Sequence, residues 1–349
     1  MKAAVVEELG KMVVKEVGKP TPLPNSLIVR VESCAICGSD IRIFKKGDKR
    51  AKLPQIIGHE IAGVVEGVGH DLTGYEVGER VAVAPGHGCG KCEYCKKGLG
   101  NLCINPIPSI GYASPGGFAQ YMCPPPTVIS NGFVNKIPGN LSFDEASMAE
   151  LLACCINGQE IANVGPGDTV LVLGAGPAGC MHIQLAKARG AKKVLISEPS
   201  PERLEMARRL FQPDIAINPQ SEDPQKIVME ETNGVGANVI IVAAPSRKAQ
   251  ESSMQMIAPR GRISFFGGLP GDDRFITIDA NIIHYKEVFI TGASSSVGRQ
   301  NREALQLISE GKIRAGDFIT HIFGLDDILE GFSAVETKQA LKVVIKPWQ

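Results

Sequence analysis

The chain has 349 residues, enough for two domains, each with its own core. Its 37 Lys and Arg balance its 37 Asp and Glu, which argues against a nucleic-acid or membrane-surface binder. No apolar run reaches the roughly eighteen residues of a membrane span, and the opening MKAAVVEELGKMVVKEV carries acids where a secretory signal keeps its apolar core.

Residues up to about 125 read as short strands, KAAVVEE, SLIVRVES, IAGVVEGVG and RVAVAP, with β-branched residues set between turns. Within this stretch GHGCGKCEYCKKGLGNLC places Cys89, Cys92, Cys95 and Cys103 at C-x2-C-x2-C-x7-C. A cytoplasmic location is expected, where such clusters bind metal rather than form disulfides. Four thiolates fill a tetrahedral zinc shell and leave no open position, so this site reads as structural. Lys91, Lys96 and Lys97 would offset the excess negative charge. An iron–sulfur run of similar spacing ends in proline, whereas Ile104 follows here. CPPPT, from Cys123 to Thr127, cannot continue a helix or a central strand. A helix is expected to open at Ser142 in LSFDEASMAELLACC, with Glu145 at the capping-box spacing. Cys37, His59 and a carboxylate from that helix could form an open three-ligand metal site. Their segments lie far apart, however, and taken singly each residue has a plainer structural reading.

From Asp168 onward short apolar runs alternate with amphipathic segments. TVLVLG, KVLISE, DIAIN, NVIIVA, RISFFG and VFITGA read as six parallel strands of one doubly wound domain. GAGPAG at 174–179 follows the first run and opens a helix, the context that makes G-x-G-x-x-G a dinucleotide fingerprint. Gly174 serves the tight turn, Gly176 the approach of a pyrophosphate, and Gly179 the close packing of helix on strand. Pro177 and Ala178 complete the cofactor loop. Glu198, 19 residues after Gly179, stands where an acid binds ribose hydroxyls and repels a 2′-phosphate, so NAD is favoured over NADP. Arg203 is the competing signal, since a nearby arginine can accept a 2′-phosphate. The tail after about residue 295 is expected to pack back on the first domain, ending in the strand ALKVVIKP.

CGSD at 37–40, GHEIAGVVEGVG at 58–69, YEVGERVAV at 75–83, the four-cysteine loop, GGFAQY at 116–121 and GPGDTVLVLGAGPAG at 165–179 together resemble the zinc-containing medium-chain alcohol/polyol dehydrogenases. The resemblance spans essentially the whole chain and points to the sorbitol/threonine dehydrogenase-like branch. It implies an α/β protein: a GroES-like β-rich catalytic domain of residues 1–145 and 295–349, with a zinc lobe near 86–104, and a Rossmann domain of residues 146–294. It implies two zinc ions per chain, one structural and one catalytic, the latter held by Cys37, His59 and Glu150, with Glu60 a variable ligand. Glu150 lies in AELLAC, one residue away from the family's common AEPLAC. Asp40 is expected to orient His59, and Ser39 to relay the substrate proton.

The implied reaction is reversible oxidation of a secondary alcohol or polyol to a ketone by hydride transfer to a nicotinamide. The expected partner is a small-molecule alcohol, with no nucleic acid or membrane, in a homodimer or homotetramer. Sorbitol-type members carry an aromatic residue soon after CGSD and an Arg-Tyr pair near the end of the cofactor domain; here Ile43-Phe44 and Ser294-Ser295-Ser296 stand there. RIFKKGDKRAK at 42–52 is basic, which suits either a solvated loop or attraction of a sugar-alcohol phosphate. L-threonine-type oxidation is a second reading. A non-enzymatic zinc-ribbon protein is a third, but it leaves GAGPAG and Glu198 unexplained.

Overall fold

The structure is a computed structural model that describes all 349 residues. It divides into two compact units, Met1–Ala153 with Ser296–Gln349, and Cys154–Ser295. The junctions fall at 153/154 and 295/296, where the sequence placed them at 145/146 and 294/295. No helix is long and apolar enough to cross a membrane.

The first unit is built on a mixed seven-stranded sheet. Its main path runs Ile319–Gly324, Lys342–Lys346, Leu27–Ala35, Glu60–Val68, Arg80–Val83 and Val134–Lys136, with Tyr121–Met122 paired to Leu27–Ala35 off that path. The central strand LIVRVESCA buries Leu27, Val29 and Val31 in the core, while Arg30 and Glu32 on the other face are half-buried, the period-two pattern of a sheet with one wetter side. A second sheet pairs Lys2–Glu8 with Lys11–Glu16 and with Gln55–Ile56. The tail returns to this unit as expected, and Lys342–Lys346 lies antiparallel to Leu27–Ala35, with Val344 opposite Ala35. On the other side of that central strand, Ala35 faces Glu60. One strand is thus flanked by the two elements that bring Glu60 and Lys342 together.

Two local features differ in detail from the sequence expectation. The segment from Ser142 forms two helices, Phe143–Ser147 and Ala149–Ile161, divided at Met148. Its capping box is formed: Glu145 N donates to Ser142 Oγ at 3.2 Å, and Ser142 N to Glu145 Oε2 at 2.9 Å. In CPPPT, Pro126 opens the short helix Pro126–Ser130, at the first-turn position where a missing N–H costs nothing.

The second unit holds a six-stranded sheet in the order Ile215–Ile217, Lys193–Ser197, Thr169–Leu173, Ala237–Val242, Ile257–Phe265 and Phe289–Gly292. Every pairing in it is parallel. TVLVL and KVLIS are buried beyond their first residues, as strands covered on both faces must be. The chain reverses its winding between Thr169–Leu173 and Ala237–Val242, the switch point beyond whose carboxyl ends such sheets bind ligands.

Candidate active site

Cys37, His59 and Glu60 are brought together, with ligand atoms all within 4.8 Å of one another. Cys37 caps the helix Gly38–Lys46, and its amide donates to Asp40 Oδ2 at 2.9 Å. Asp40 is fully buried; its Oδ1 accepts from Gly58 N at 3.2 Å and lies 3.3 Å from His59 Nδ1. That carboxylate therefore ties the Cys37 turn to the His59 strand entrance. Ser39 Oγ lies 3.4 Å from His59 Nε2, the ring's other nitrogen. Burial disfavours charge on His59, but Tyr112 and Asp40 outweigh it, and its pKa ends well above the ordinary histidine value. Metal uptake must displace that proton, because a ligating imidazole is neutral.

The donor set of one sulfur, one nitrogen and one carboxylate oxygen fits zinc with an open fourth position. Glu60 is fully buried, and Lys342 Nζ donates to its Oε1 at 2.6 Å. Burial works against charge on Lys342, yet Glu60 first, with Cys37 and Glu150, holds its pKa above the usual lysine value. Glu150, expected as the third ligand, stands outside the cluster, on the first turn of Ala149–Ile161. It borders a small recess lined also by Asn135, Ser147 and Asn301.

Three side chains that sequence reasoning passed over surround the cluster. Tyr112 is buried with its ring 5.5 Å from that of His59. The Arg50 guanidinium lies 4.0 Å from the centre of the Tyr112 ring, over its face. Lys342, within the apolar run ALKVVI, carried the clearest signal: a lone cation in a buried strand needs a partner. Nearby His87 is pushed down to about 4, by burial first and then by Arg50 and His59, and so stays neutral at pH 7.

Cys89, Cys92, Cys95 and Cys103 form the second cluster, again within 4.8 Å. Cys92 Sγ lies 3.5 Å from Cys95 Sγ and 3.7 Å from Cys103 Sγ. A tetrahedral shell with Zn–S bonds of about 2.3 Å has S···S edges of about 3.8 Å, so the four sulfurs fit zinc with little adjustment. The Lys91 and Cys92 amides bring the Cys89 thiol down to about 6, while burial pushes Cys103 up to about 11.

In the second unit Gly174 adopts φ +108°, a conformation open to glycine. A Cβ at Gly179 would sit 1.8 Å from Gly174 O, whereas one at Gly176 would meet nothing nearer than Arg203 Nη1 at 3.9 Å. The loop is thus closed beneath and open above, a cradle suited to a pyrophosphate at the N-terminus of Pro177–Ala188. Pro177 and Ala178 form its first turn. Glu198 is buried at the end of the neighbouring strand, accepting from Ala175 N at 2.7 Å and from Ser200 N at 3.0 Å. Arg203 reaches back over the loop from Pro201–Phe211.

Residues 23–131 match the family described as alcohol dehydrogenase GroES-like domain, and residues 177–310 match that described as zinc-binding dehydrogenase. An L-threonine 3-dehydrogenase of Pyrococcus horikoshii is 36% identical over 340 residues, covering 94% of this chain and 93% of its own. A sorbitol dehydrogenase of Halalkalibacterium halodurans is 28% identical, covering 99% of both chains. Among solved structures, an alcohol dehydrogenase from Thermus sp. ATN1 superposes with a TM-score of 0.89 at 31% identity, covering 99% of both chains.

Proposed function

We propose that this chain, which belongs to the zinc-binding dehydrogenases with an alcohol dehydrogenase GroES-like domain, oxidises a secondary alcohol or polyol to the ketone with NAD as its preferred acceptor. The observation that carries the reading is the convergence of Cys37, His59 and Glu60 beside Ser39, in a chain that also holds the glycine cradle ending at Glu198. Cys37 and His59 would hold the catalytic zinc, and a carboxylate would complete the set, Glu60 as a member of the cluster and Glu150 as the alternative. Zinc supplies a Lewis acid that eases loss of the hydroxyl proton, and the nicotinamide supplies the hydride acceptor.

The remaining work falls to the chain. Asp40 fixes the ring of His59 by standing against Nδ1, which leaves Nε2 for the metal. Ser39 Oγ, beside that nitrogen, takes the alcohol proton and passes it outward. Lys342 holds the Glu60 carboxylate in place and balances its charge. Cys89, Cys92, Cys95 and Cys103 hold a second zinc that orders their lobe. Gly174, Gly176, Pro177, Ala178 and Gly179 bind the cofactor pyrophosphate, and Glu198 sets the preference for NAD, with Arg203 beside the adenosine end. The half-exposed edge strand Phe289–Gly292 suits pairing in a homodimer or homotetramer, and the enzyme is read as cytoplasmic.

L-threonine oxidation at the 3-hydroxyl is the second reading, supported by the 36% identity to the Pyrococcus enzyme. The test is a screen of polyols, polyol phosphates, simple secondary alcohols and L-threonine, each with NAD and NADP. Turnover of a secondary alcohol with higher kcat/KM for NAD supports the proposal, and zinc-loaded protein inert toward all of them contradicts it.

A further inference from the structure

The loop that follows the Cys37 helix carries the most informative feature left unassigned. The sequence leaves its basic run, Arg42 to Lys52, open between a solvated loop and an attractor for anions. These cations are exposed, Arg50 among them, but the Arg50 guanidinium is held in place. Its guanidinium lies 4.0 Å over the Tyr112 ring, and Tyr112 in turn packs 5.5 Å from the ring of His59. Tyr112 is buried and its own backbone is held, since Gln55 Nε2 donates to Tyr112 O at 2.8 Å. Arg50 is therefore one aromatic ring away from the proposed metal site.

Its orientation is fixed as well. Asp48 accepts from Arg50 Nε and from Arg50 Nη2, both at 2.9 Å, and from the Arg50 amide at 3.0 Å. Arg42 Nη2 shares the same carboxylate at 3.1 Å. Two arginines thus divide one acid, which leaves net positive charge at the spot. Asp48 occupies the Nε and Nη2 edge of the Arg50 fork, and the side chain keeps 45% of its surface exposed. The acid clamp and the ring beneath it hold the guanidinium in one orientation. A clamped, stacked guanidinium has already lost its rotamer freedom, so it can bind an anion at low entropic cost, and its planar fork matches a carboxylate or a phosphate.

We propose that Arg50, oriented by Asp48 and stacked on Tyr112, is the specificity-determining residue that binds an anionic group of the substrate, so that the physiological substrate is a small secondary alcohol bearing a carboxylate or a phosphate. This rests on the dehydrogenase reading and narrows its substrate class.

The test uses zinc-loaded enzyme, NAD and two matched pairs: L-threonine against L-threoninamide, and sorbitol 6-phosphate against sorbitol. In at least one pair the member that bears the carboxylate or phosphate should exceed the member that lacks it at least tenfold in kcat/KM, and the pair that does so tells carboxylate from phosphate. In Arg50→Gln that ratio should fall at least tenfold, chiefly through KM. Arg50→Lys, which keeps the charge but loses the fork, should restore part of it. Equal or better oxidation of the members that lack the anionic group, or a preference for the members that bear it that survives Arg50→Gln in folded protein with wild-type zinc content, overturns the inference while leaving the dehydrogenase reading intact. Turnover of none of the four counts against both.

Discussion

Cys37, His59 and Glu60 each sit at the end of an element, not within it. Cys37 caps a helix, His59 precedes the strand Glu60–Val68, and Glu60 opens it. Element ends are where a side chain can turn toward a common point while the ladder behind it stays fixed. Cys37→Ser should therefore remove turnover and one zinc per chain while leaving the melting temperature within a few degrees, measured by metal analysis and thermal unfolding. The carboxylate question has a similar answer. Glu60→Gln should lower catalytic zinc occupancy more than Glu150→Gln, because Glu60 lies in the cluster and Glu150 outside it. A reversed order would give the third position to Glu150. Lys342→Met should destabilise by about 3–5 kcal/mol, since it leaves a buried carboxylate without its partner. The double variant Glu60→Gln with Lys342→Met should recover part of that loss. At this scale the cysteines and glycines were legible in the sequence because local spacing encodes their chemistry. Lys342, Tyr112 and Arg50 were not, because their meaning depends on partners as distant in sequence as Glu60 is from Lys342.

At the scale of elements the four-cysteine loop and the cofactor helix differ in what holds them. The loop has little regular structure, only Glu93–Lys96 and a short turn at Gly100–Leu102, and none of the residues in either is buried. On the proposed reading its order comes from a zinc ion held by the four cysteines. Cys92→Ser should release one zinc and lower the melting temperature by about 10 °C or more, as losing several kcal/mol would in a chain of this size. The helix Pro177–Ala188 instead has eight consecutive buried residues, Gly179 to Ala186, and so is covered on every side. Among them His182 is fully buried, and Gln159 Nε2 donates to its Nδ1 at 3.2 Å and to its backbone oxygen at 2.9 Å. Phe266 packs perpendicular to its ring at 4.5 Å. Burial pushes its pKa down from 6.5 to about 3. The unfolded chain therefore takes up this proton before the folded one does. The stability it allows is complete above about 6.5 and is lost as the pH falls toward about 3, at up to ~1.4 kcal/mol per pH unit. In His182→Gln the acid limb of denaturant-measured stability should be flatter across that window. The helix after Ser142 was legible through its capping box, but the division at Met148 was not, since nothing in FDEASMAEL breaks a helix by propensity.

For the whole molecule the chain length and the change from short strands to alternating strands and helices already implied two different units. The inner parallel strands, such as TVLVL and KVLIS, were readable one by one because both faces are covered and each is a continuous apolar run. The mixed sheet of the first unit was readable only as isolated strands. Its order pairs the last strand of the chain with Leu27–Ala35, and no local pattern announces that register. The catalytic reading depends on this long-range pairing, because it delivers Lys342 to Glu60.

The central claim is that the two clusters divide the labour, chemistry at Cys37, His59 and Glu60 and structure at the four cysteines. Zinc content and alcohol oxidation measured together on the unmodified chain and on Cys37→Ser test it most directly. The account predicts two zinc per chain falling to one, with the protein still folded and turnover gone. Cys37→Ser protein that keeps both zinc ions and oxidises alcohols at the original rate would contradict it.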